Sequence, residues 1–227
     1  MLILNELVGF GAGESDGGND SYTQLLLHFD GSNGDTTYTD SSAAARTVTR
    51  LGSSTLSTAQ AKFGATSLSV STDGCSVADA ASLEPGSGDF AIDFWAYPTQ
   101  TSTQARAIGK LSGSFSPIMV AVFSGNWIWW ASQDGVSFLV NGATIGAATA
   151  NQWAHIAITR SGGTLRPFVN GTAGTTQAIT GSLWDNSAAW NIGNNGNVWT
   201  GYIDEVRISI GVPRWTANFT PPTVPYF

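Results

Sequence analysis

Alternating apolar and polar side chains, rather than a helical repeat, dominate this sequence, most clearly over residues 201–210. Successive side chains of a strand point to opposite faces, so this pattern predicts a strand with one buried face. The predicted buried face carries Tyr202, Asp204, Val206, Ile208 and Ile210, and the other carries Ile203, Glu205, Arg207 and Ser209. A carboxylate in a buried register, here Asp204, needs a cation or several N–H donors. Two interpretations stay open: a core strand that brings Asp204 to an edge of the fold, or a frayed strand start hydrogen-bonded to a neighbouring loop.

The same alternation predicts a series of short strands separated by turns rich in Gly, Asn, Asp and Ser. They are expected at 22–30, 89–99, 104–111, 117–123, 125–135, 137–142 and 143–148. Residues 151–171 form the clearest hairpin, with a Ser-Gly-Gly turn. Pro167 in its return strand predicts an edge position or a bulge. These elements predict an all-β protein, an antiparallel two-sheet β-sandwich with a short N-terminal extension.

The length of 227 residues suits a single large sandwich. Residues 1–21 are predicted to be a docking segment and Gly-rich linker, residues 22–221 the sandwich, and residues 222–227 a C-terminal strap. The docking segment contains a group of apolar side chains, and a flexible, acidic linker follows it. The apolar side chains are Leu2, Ile3, Leu4, Leu7, Val8 and Phe10. An additional edge strand of the same domain is the alternative interpretation. The segment lacks a basic start and contains Asn5 and Glu6, so it is a poor signal peptide.

Composition excludes several functions. The net charge is −7 and only 11% of the residues are charged, so the chain lacks a basic surface for nucleic acid or for anionic membranes. No stretch is apolar enough to predict insertion into a membrane. Cys75 is the single cysteine, which leaves no intrachain disulfide, and we expect an inert thiol because its local sequence holds no basic residue.

The segment after the first predicted strand is rich in oxygen ligands, with Asp30, Asn33, Asp35 and Asp40 spaced by glycines. Hard cations such as Ca²⁺ bind six to eight oxygens of this kind. The spacing does not match an EF-hand loop, so the pattern alone indicates a calcium site only weakly.

Three motifs together resemble the laminin-G-like domains of the concanavalin A-like lectin/glucanase superfamily. They are WAHIAITRSGGTLRPFVNG, NIGNNGNVWTGYIDEVRIS and LLLHFDGSNGDTTYTDSSA, and the resemblance covers about residues 22–221. It implies a jelly-roll sandwich. The opening LLLHFDG and the closing VPRWTANFTPP look like the version of this module in bacteriophage tail-fibre and virion proteins. The family often carries calcium, which implies Asp204 with Asp30 or Asp40 as ligands.

Catalysis is not expected. Glycosidases of this superfamily place paired carboxylates on one strand in an E-x-D-x-x-E pattern, which this sequence lacks. Asp204 and Glu205 are adjacent and are therefore predicted to face opposite ways. His28 and His155 lie within predicted strands without a Ser or Cys partner in sequence, so we expect them at the edge of the core.

Sugar recognition is a second hypothesis, since nine Trp and five Tyr suit the stacking of sugar faces on aromatic rings. The candidates are Trp127, Trp130 and Trp199, with the amides of Asn194, Asn195 and Asn197. The alternative is that these Trp form the core and that the Asn-rich tip is only a turn.

Together these observations predict a non-catalytic virion protein, a capsid-decorating or tail-fibre subunit on the particle surface. Its partners would be other virion proteins, contacted through residues 1–21, and host-surface glycans, without nucleic acid or membrane insertion. Fibres and decorations are often trimers, so a homotrimer is one expected state. The alternative is a secreted or cell-surface lectin-like module, and a glycoside hydrolase is the least favoured class.

Overall fold

The computed structural model describes residues 18–194 and 196–227, and these residues form two antiparallel sheets. The first eight strands are β1 (Thr23–Leu27), β2 (Val48–Arg50), β3 (Thr55–Ser57), β4 (Ser67–Val70), β5 (Cys75–Val77), β6 (Phe90–Pro98), β7 (Ala105–Gly109) and β8 (Ile118–Phe123). The remaining eight are β9 (Asn126–Ala131), β10 (Val140–Ala147), β11 (Ala154–Ser161), β12 (Thr164–Val169), β13 (Thr172–Ala173), β14 (Gln177–Ala178), β15 (Trp190–Ile192) and β16 (Gly201–Ile210). The predicted fold class is therefore confirmed.

The larger sheet has nine strands, with the order β13-β12-β11-β6-β16-β4-β3. Strand β14 also pairs with β12, and β1 also pairs with β16. The smaller sheet has seven strands, with the order β10-β9-β8-β7-β15-β5-β2. A short 3₁₀ turn at Ala81–Leu83 follows β5. Among the described residues there is no long apolar helix that could serve as a transmembrane segment.

The core fills the space between the two sheets and follows the alternation of each strand. Strand β6 contributes Phe90, Ile92, Phe94 and Ala96 to it, as the sequence pattern predicts. Across the core, β9 contributes Trp127 and Trp129. The opposite faces of these strands form the outer faces of the two sheets. The site described below lies on the outer face of the larger sheet.

Two strand predictions need correction. The two strands predicted at 137–142 and 143–148 are replaced by the single strand β10 (Val140–Ala147), whose pairing with β9 is irregular around Gly142, where φ is +62°. The second correction concerns β16, where the register against β6 shifts between Asp204 and Arg207. Glu205 has a φ of +50°, which makes this irregularity a β-bulge.

The bulge moves the acidic residues of β16 off the core face. Two residues of β16, Glu205 and Val206, lie opposite the single residue Phe94 of β6. Ile203, Val206 and Ile208 therefore all belong to the core, whereas strict alternation would have separated Ile203 from the other two. Asp204, Glu205 and Arg207 lie outside this core.

The hairpin of β11 and β12 is confirmed, and the position of Pro167 in it has a clear reason. On one side, Pro167 pairs with Ile158 of β11. On the other side, β14 pairs with Thr164 and Leu165, and β13 with Phe168 and Val169, so Pro167 falls between the two ladders. Its carbonyl accepts a bond from the Gly174 N–H, but no ladder requires an N–H from Pro167.

Residues after β16 cross the outer face of the larger sheet as a strap. The Trp215 and Phe219 rings stack at 4.2 Å and pack with Phe168 of β12. The Thr159 hydroxyl donates to the Trp215 carbonyl. Trp215 and Tyr226, which are 1% and 5% exposed, therefore hold the strap against the sheet.

Candidate functional site

Three aromatic rings form a row on the outer face of the larger sheet. Tyr97 contacts Trp153 on one side, with ring centroids 5.6 Å apart and planes inclined by 62°. On the other side Tyr97 contacts Tyr202, at 5.8 Å and 75°. All three side chains are partly exposed. We call Trp153, Tyr97 and Tyr202 the aromatic row.

The strand pattern explains why these rings face outward. In β6, Phe94 and Ala96 belong to the core, so Tyr97 at the next position points to the outer face. Tyr202 lies directly opposite Tyr97 in the register of β16. Tyr202 precedes the bulge, and its neighbour Ile203 points into the core. Tyr202 therefore points to the outer face.

A polar pocket adjoins the Tyr202 end of the row. Its volume is about 220 Å³, and its lining includes the hydroxyl-bearing residues Ser69, Ser71, Thr99 and Thr200. Ser69 pairs with Tyr202 across β4 and β16, which joins the pocket to the row. The Thr200 Oγ1 atom is buried without a hydrogen-bond partner. We call this cavity the Thr200 pocket.

A smaller cavity of about 30 Å³ adjoins the Trp153 end of the row. Its lining includes Thr149, Gln152 and Asn170 beside Trp153. The linings of both cavities contain no charged side chain. The row therefore runs between two uncharged polar depressions.

Further along β6, on the same face, the Trp95 ring contacts the ammonium group of a lysine. The Lys62 Nζ atom lies 3.8 Å from the centroid of the Trp95 ring. Phe63 packs edge-on against the same ring, with centroids 5.9 Å apart. Burial lowers the pKa of Lys62, and Asp204 partly offsets that shift.

Beneath the strap lies a buried polar cluster that is closed to solvent. The Arg207 Nε atom is 3.1 Å from Asp93 Oδ1, and both side chains are fully buried. The Tyr226 hydroxyl donates to Asp93 Oδ2. His155 Nε2 lies 3.6 Å from the same carboxylate, and burial lowers the pKa of His155. His155 is therefore deep in the protein rather than at the edge of the core as predicted.

Glu205 occupies the bulge and joins the sheet to the strap. Its Oε1 atom lies 2.9 Å from His28 Nδ1, and its Oε2 atom accepts the Tyr226 N–H at 3.2 Å. The hydrogen bond to Glu205 is the main reason why the pKa of His28 is raised. Both carboxylate oxygens of Glu205 are therefore bonded to protein groups.

Asp204 is satisfied by a loop, in line with one of the two interpretations left open by the sequence, although the residue is fully buried rather than frayed. Its Oδ2 atom accepts the N–H groups of Lys62 and Phe63 at 2.8 and 3.2 Å. Its Oδ1 atom accepts the Glu205 N–H at 3.0 Å. Burial raises the pKa of Asp204 to about 8 against the effect of these three donors. The prediction that Asp204 and Glu205 face opposite sides of a regular strand is wrong because the bulge lies at these residues.

The predicted sugar-stacking Trp residues do not form a site. Trp127 and Trp199 are fully buried and stack on each other inside the core, with ring centroids 5.7 Å apart. The sugar-binding prediction is wrong for these two rings, because no ligand from solvent reaches them. Trp130 lies on the outer face of the smaller sheet, 9% exposed, in a cluster with Leu111 and Phe138.

The amides of the predicted Asn tip close a turn. The Asn194 side chain donates to Asp73 and accepts the Gly196 N–H. The Asn197 side chain donates to Gln104. These contacts favour the turn interpretation, and Asn195 lies outside the described residues.

The three predicted calcium ligands do not form one cluster. Asp30 is exposed and accepts the Ala65 N–H at 3.0 Å. Asp40 accepts the N–H groups of Leu26, Ser42 and Arg46. Within residues 18–194 and 196–227, no group of three His, Cys, Asp or Glu is arranged to hold a metal ion. The Asp40 and Asp204 carboxylates both accept hydrogen bonds from backbone N–H groups, and calcium binding stays a prediction.

The predicted docking residues Leu2, Ile3, Leu4, Leu7, Val8 and Phe10 lie outside the described residues. The aromatic row was not predicted from the sequence. Alternation over residues 89–99 nevertheless places Tyr97 on the face opposite Phe94 and Ala96. The usable signal in the sequence was thus an aromatic side chain at a non-core position of a strand, rather than the number of Trp residues.

The fold defines a jelly roll of the concanavalin A-like class, and a family model agrees with it. The model of the concanavalin A-like lectin/glucanases superfamily matches residues 69–212. The chain belongs to this family, which confirms the resemblance indicated by its motifs. No curated protein matches the sequence.

Several solved structures share the fold. Domain 4 of AbnA, an extracellular arabinanase from Geobacillus stearothermophilus solved with arabinotriose, is 19% identical with a TM-score of 0.61; the match covers 84% of this chain and 94% of that one. The binding domain of Paraclostridial Mosquitocidal Protein 1 is 13% identical, with a TM-score of 0.64. The match covers 83% of this chain and 48% of that one. The ligand binding domain of botulinum neurotoxin serotype D, solved with N-acetylneuraminic acid, is 16% identical with a TM-score of 0.61. The match covers 83% of this chain and 47% of that one. This chain therefore spans about half the length of the two toxin domains.

Proposed function

We propose that this protein is a non-catalytic glycan-binding module that holds its ligand on the aromatic row. The observation that carries the proposal is the contact of Trp153, Tyr97 and Tyr202 in one line on an outer sheet face. Apolar faces of sugar rings pack on such side chains, and neighbouring polar groups bind the hydroxyls. The cavities at the two ends of the row supply those polar groups.

Two of the structurally similar domains support this proposal. The AbnA domain was solved with arabinotriose and the neurotoxin domain with N-acetylneuraminic acid. Their shared fold is compatible with sugar binding, while the row itself is a feature of this chain's own residues.

The carboxylates of the outer face support a non-catalytic role. Retaining glycosidases need two carboxyl groups about 5 Å apart that both reach the substrate. Here Asp93, Asp204 and Glu205 are buried at 0–1% exposure. Each accepts hydrogen bonds from protein groups beneath the strap or the 62–63 loop.

Substitution of the row tests the proposal. We expect the double variant Y97A/Y202A to bind a responsive oligosaccharide at least ~10-fold more weakly, measured by calorimetry after a glycan-array screen, because stacking is worth ~1 kcal/mol or more per ring. The control is Y22A, since Tyr22 is 47% exposed at the opposite end of β16. Unchanged affinity in the double variant, or no response to any glycan on the array, would contradict the proposal.

We further propose that the module is displayed on a virus particle and is attached through its N-terminal segment, with host-surface glycans as ligands. The support is the sequence resemblance to phage virion modules and the apolar side chains between Leu2 and Phe10. A secreted or cell-surface lectin-like module is the alternative.

Deletion of residues 1–17 tests the display proposal. This deletion keeps Asp20, whose carboxylate pairs with Arg214 at 2.7 Å, so the sandwich should stay folded. We expect the truncated protein to be soluble but absent from purified particles, while the full chain is incorporated. Equal incorporation of both forms would refute attachment through this segment, and release of the full chain into the medium would favour the alternative. Light scattering of the full chain tests the expected homotrimer.

A further inference from the structure

We propose that the aromatic row accepts a stretch of at least three sugar units from a single, soluble, uncharged polysaccharide chain, with one sugar hydroxyl bound in the Thr200 pocket. This inference rests on the proposed glycan-binding function and specifies its ligand. Four observations carry it: the length of the row, the shape of the row, the charge around the row and an unsatisfied hydroxyl at the adjoining pocket.

The length of the row argues for a chain rather than for one terminal sugar. Three rings follow one another at 5.6 and 5.8 Å, spacings comparable to the length of one sugar unit in an extended polysaccharide. A polar cavity lies beyond each end. A monosaccharide covers one ring at most and leaves the other contacts unused.

The shape of the row argues against a crystalline polysaccharide surface. The planes of Trp153 and Tyr202 are inclined to Tyr97 by 62° and 75°, so the three rings are not coplanar. A flat crystal face cannot contact rings at such different inclinations at the same time. A single chain can, because its successive sugar rings rotate about their linkages.

The charge around the row argues for a ligand without carboxylate, sulfate or phosphate groups. The residues that line the two cavities are all uncharged. An acidic sugar bound there would lose water without gaining a counter-ion, which is unfavourable. Lys62, a cation on this face, is engaged over Trp95 and carries a lowered pKa. The net charge of −7 further disfavours a polyanion.

The Thr200 hydroxyl indicates where the ligand gains specificity. Its oxygen is buried and lacks a hydrogen-bond partner, which is costly for a polar group. Thr200 lines the pocket together with Ser69, Ser71 and Thr99. Because this oxygen is buried, the Thr200 side chain has to rotate before a sugar hydroxyl in the pocket can pair with it, and the pairing would then remove that cost.

Calorimetry on the full chain tests the inference with neutral arabino-, xylo- and gluco-oligosaccharides of one to five units. The carboxylated comparison is a series of oligogalacturonides, and insoluble cellulose serves in a pull-down. We expect affinity to rise at least ~10-fold from one to three units, acidic oligomers to bind at least ~10-fold more weakly, and cellulose to retain no protein.

Thr200→Val removes the hydroxyl at nearly constant volume and should weaken binding of the best neutral trisaccharide about 5- to 10-fold, the effect of one hydrogen bond. Thr200→Ser keeps the hydroxyl and should bind like the wild type, with thermal melting confirming that both variants fold. Tighter binding of acidic oligomers, equal affinity for one and three units, or wild-type affinity of Thr200→Val would overturn the inference while glycan binding itself stands. A complete lack of glycan binding would overturn both proposals.

Discussion

The Arg207 guanidinium lies between the Asp93 carboxylate, with Nε and Oδ1 3.1 Å apart, and the Tyr226 ring, whose centroid is 3.6 Å from Cζ. The ion pair joins β6 to β16, and the ring contact joins both strands to the strap. Since the Tyr226 hydroxyl also donates to Asp93, the three side chains form one closed unit. The unit therefore holds the strap against the outer face of the larger sheet.

Substitution R207M should destabilise the protein by ~3–5 kcal/mol, because it leaves the Asp93 carboxylate buried without its cation. Urea unfolding followed by Trp fluorescence measures the change. The control is R166M, since the Arg166 guanidinium donates to the backbone oxygens of Ser161 and Thr164 at 3.3 Å and is partly exposed. We expect the control to change the free energy of unfolding by less than ~1 kcal/mol. Similar losses of unfolding free energy in the two variants would contradict the prediction that the buried ion pair contributes more to stability than Arg166 does.

Lys110 is predicted to be chemically protected in the folded protein. Its side chain is fully buried, and its Nζ atom lies 2.7 Å from Asp79 Oδ1 and also contacts Glu84 and the Asn186 carbonyl. Acetic anhydride should therefore modify Lys62 but not Lys110 until the protein is unfolded, which peptide mass mapping measures. Rapid modification of Lys110 in the native protein would contradict this packing.

Removal of the same cation should also destabilise the fold. K110M should cost ~3–5 kcal/mol, since Glu84 and Asp79 lose their shared partner. Burial raises the pKa of Glu84 to about 7 even with the lysine present. The matched control, K62M, removes the other lysine of the chain, which is partly exposed, and should cost clearly less in the same unfolding assay.

Two glycines with the same backbone conformation should respond differently to alanine. Gly171 and Gly125 have φ values of +75° and +76°, so each Ala variant pays the strain of the left-handed region, ~1–2 kcal/mol. A Cβ at Gly171 would in addition overlap the backbone oxygen of Phe219 in the strap, whereas a Cβ at Gly125 meets nothing within 4 Å. G171A should therefore lower the free energy of unfolding by at least ~1 kcal/mol more than G125A. Equal losses would mean that the strap does not pass Gly171 closely.

The contact between His28 and Glu205 predicts a pH dependence. The pKa of His28 is raised above its ordinary value of 6.5, so its contribution to stability is fully present below pH 6.5 and is lost as the pH rises through the folded value. The stability difference between wild type and H28Q should thus shrink as the pH rises above 6.5, as measured by urea unfolding. An NMR titration that places His28 at or below its ordinary pKa would contradict the prediction.

Local pattern was sufficient for most of the framework. Alternation located β6, β8, β9 and the β11–β12 hairpin. Within residues 125–135 it also separates Trp127 and Trp129 from Trp130, which the structure places on opposite faces of β9. These predictions succeed because each strand buries one face, and a side chain's face follows from its position within the strand. The motifs of the hairpin and of the last strand were enough to indicate the family.

What the tertiary structure decided is where the pattern breaks and which rings stay in contact with solvent. The bulge at Glu205 exists because β4 pairs with residues 201–203 and β1 pairs with residues 206–209 on the same side of β16, and the 62–63 loop bonds Asp204 between them. Nothing local to β16 encodes that junction. Likewise, nine Trp look alike in sequence, but only packing shows that Trp127 and Trp199 stack in the core while Trp153 joins Tyr97 and Tyr202 outside. The sequence alone determined the longer strands and the family, whereas contacts between residues far apart in the chain determined the site and short strands such as β13 and β14.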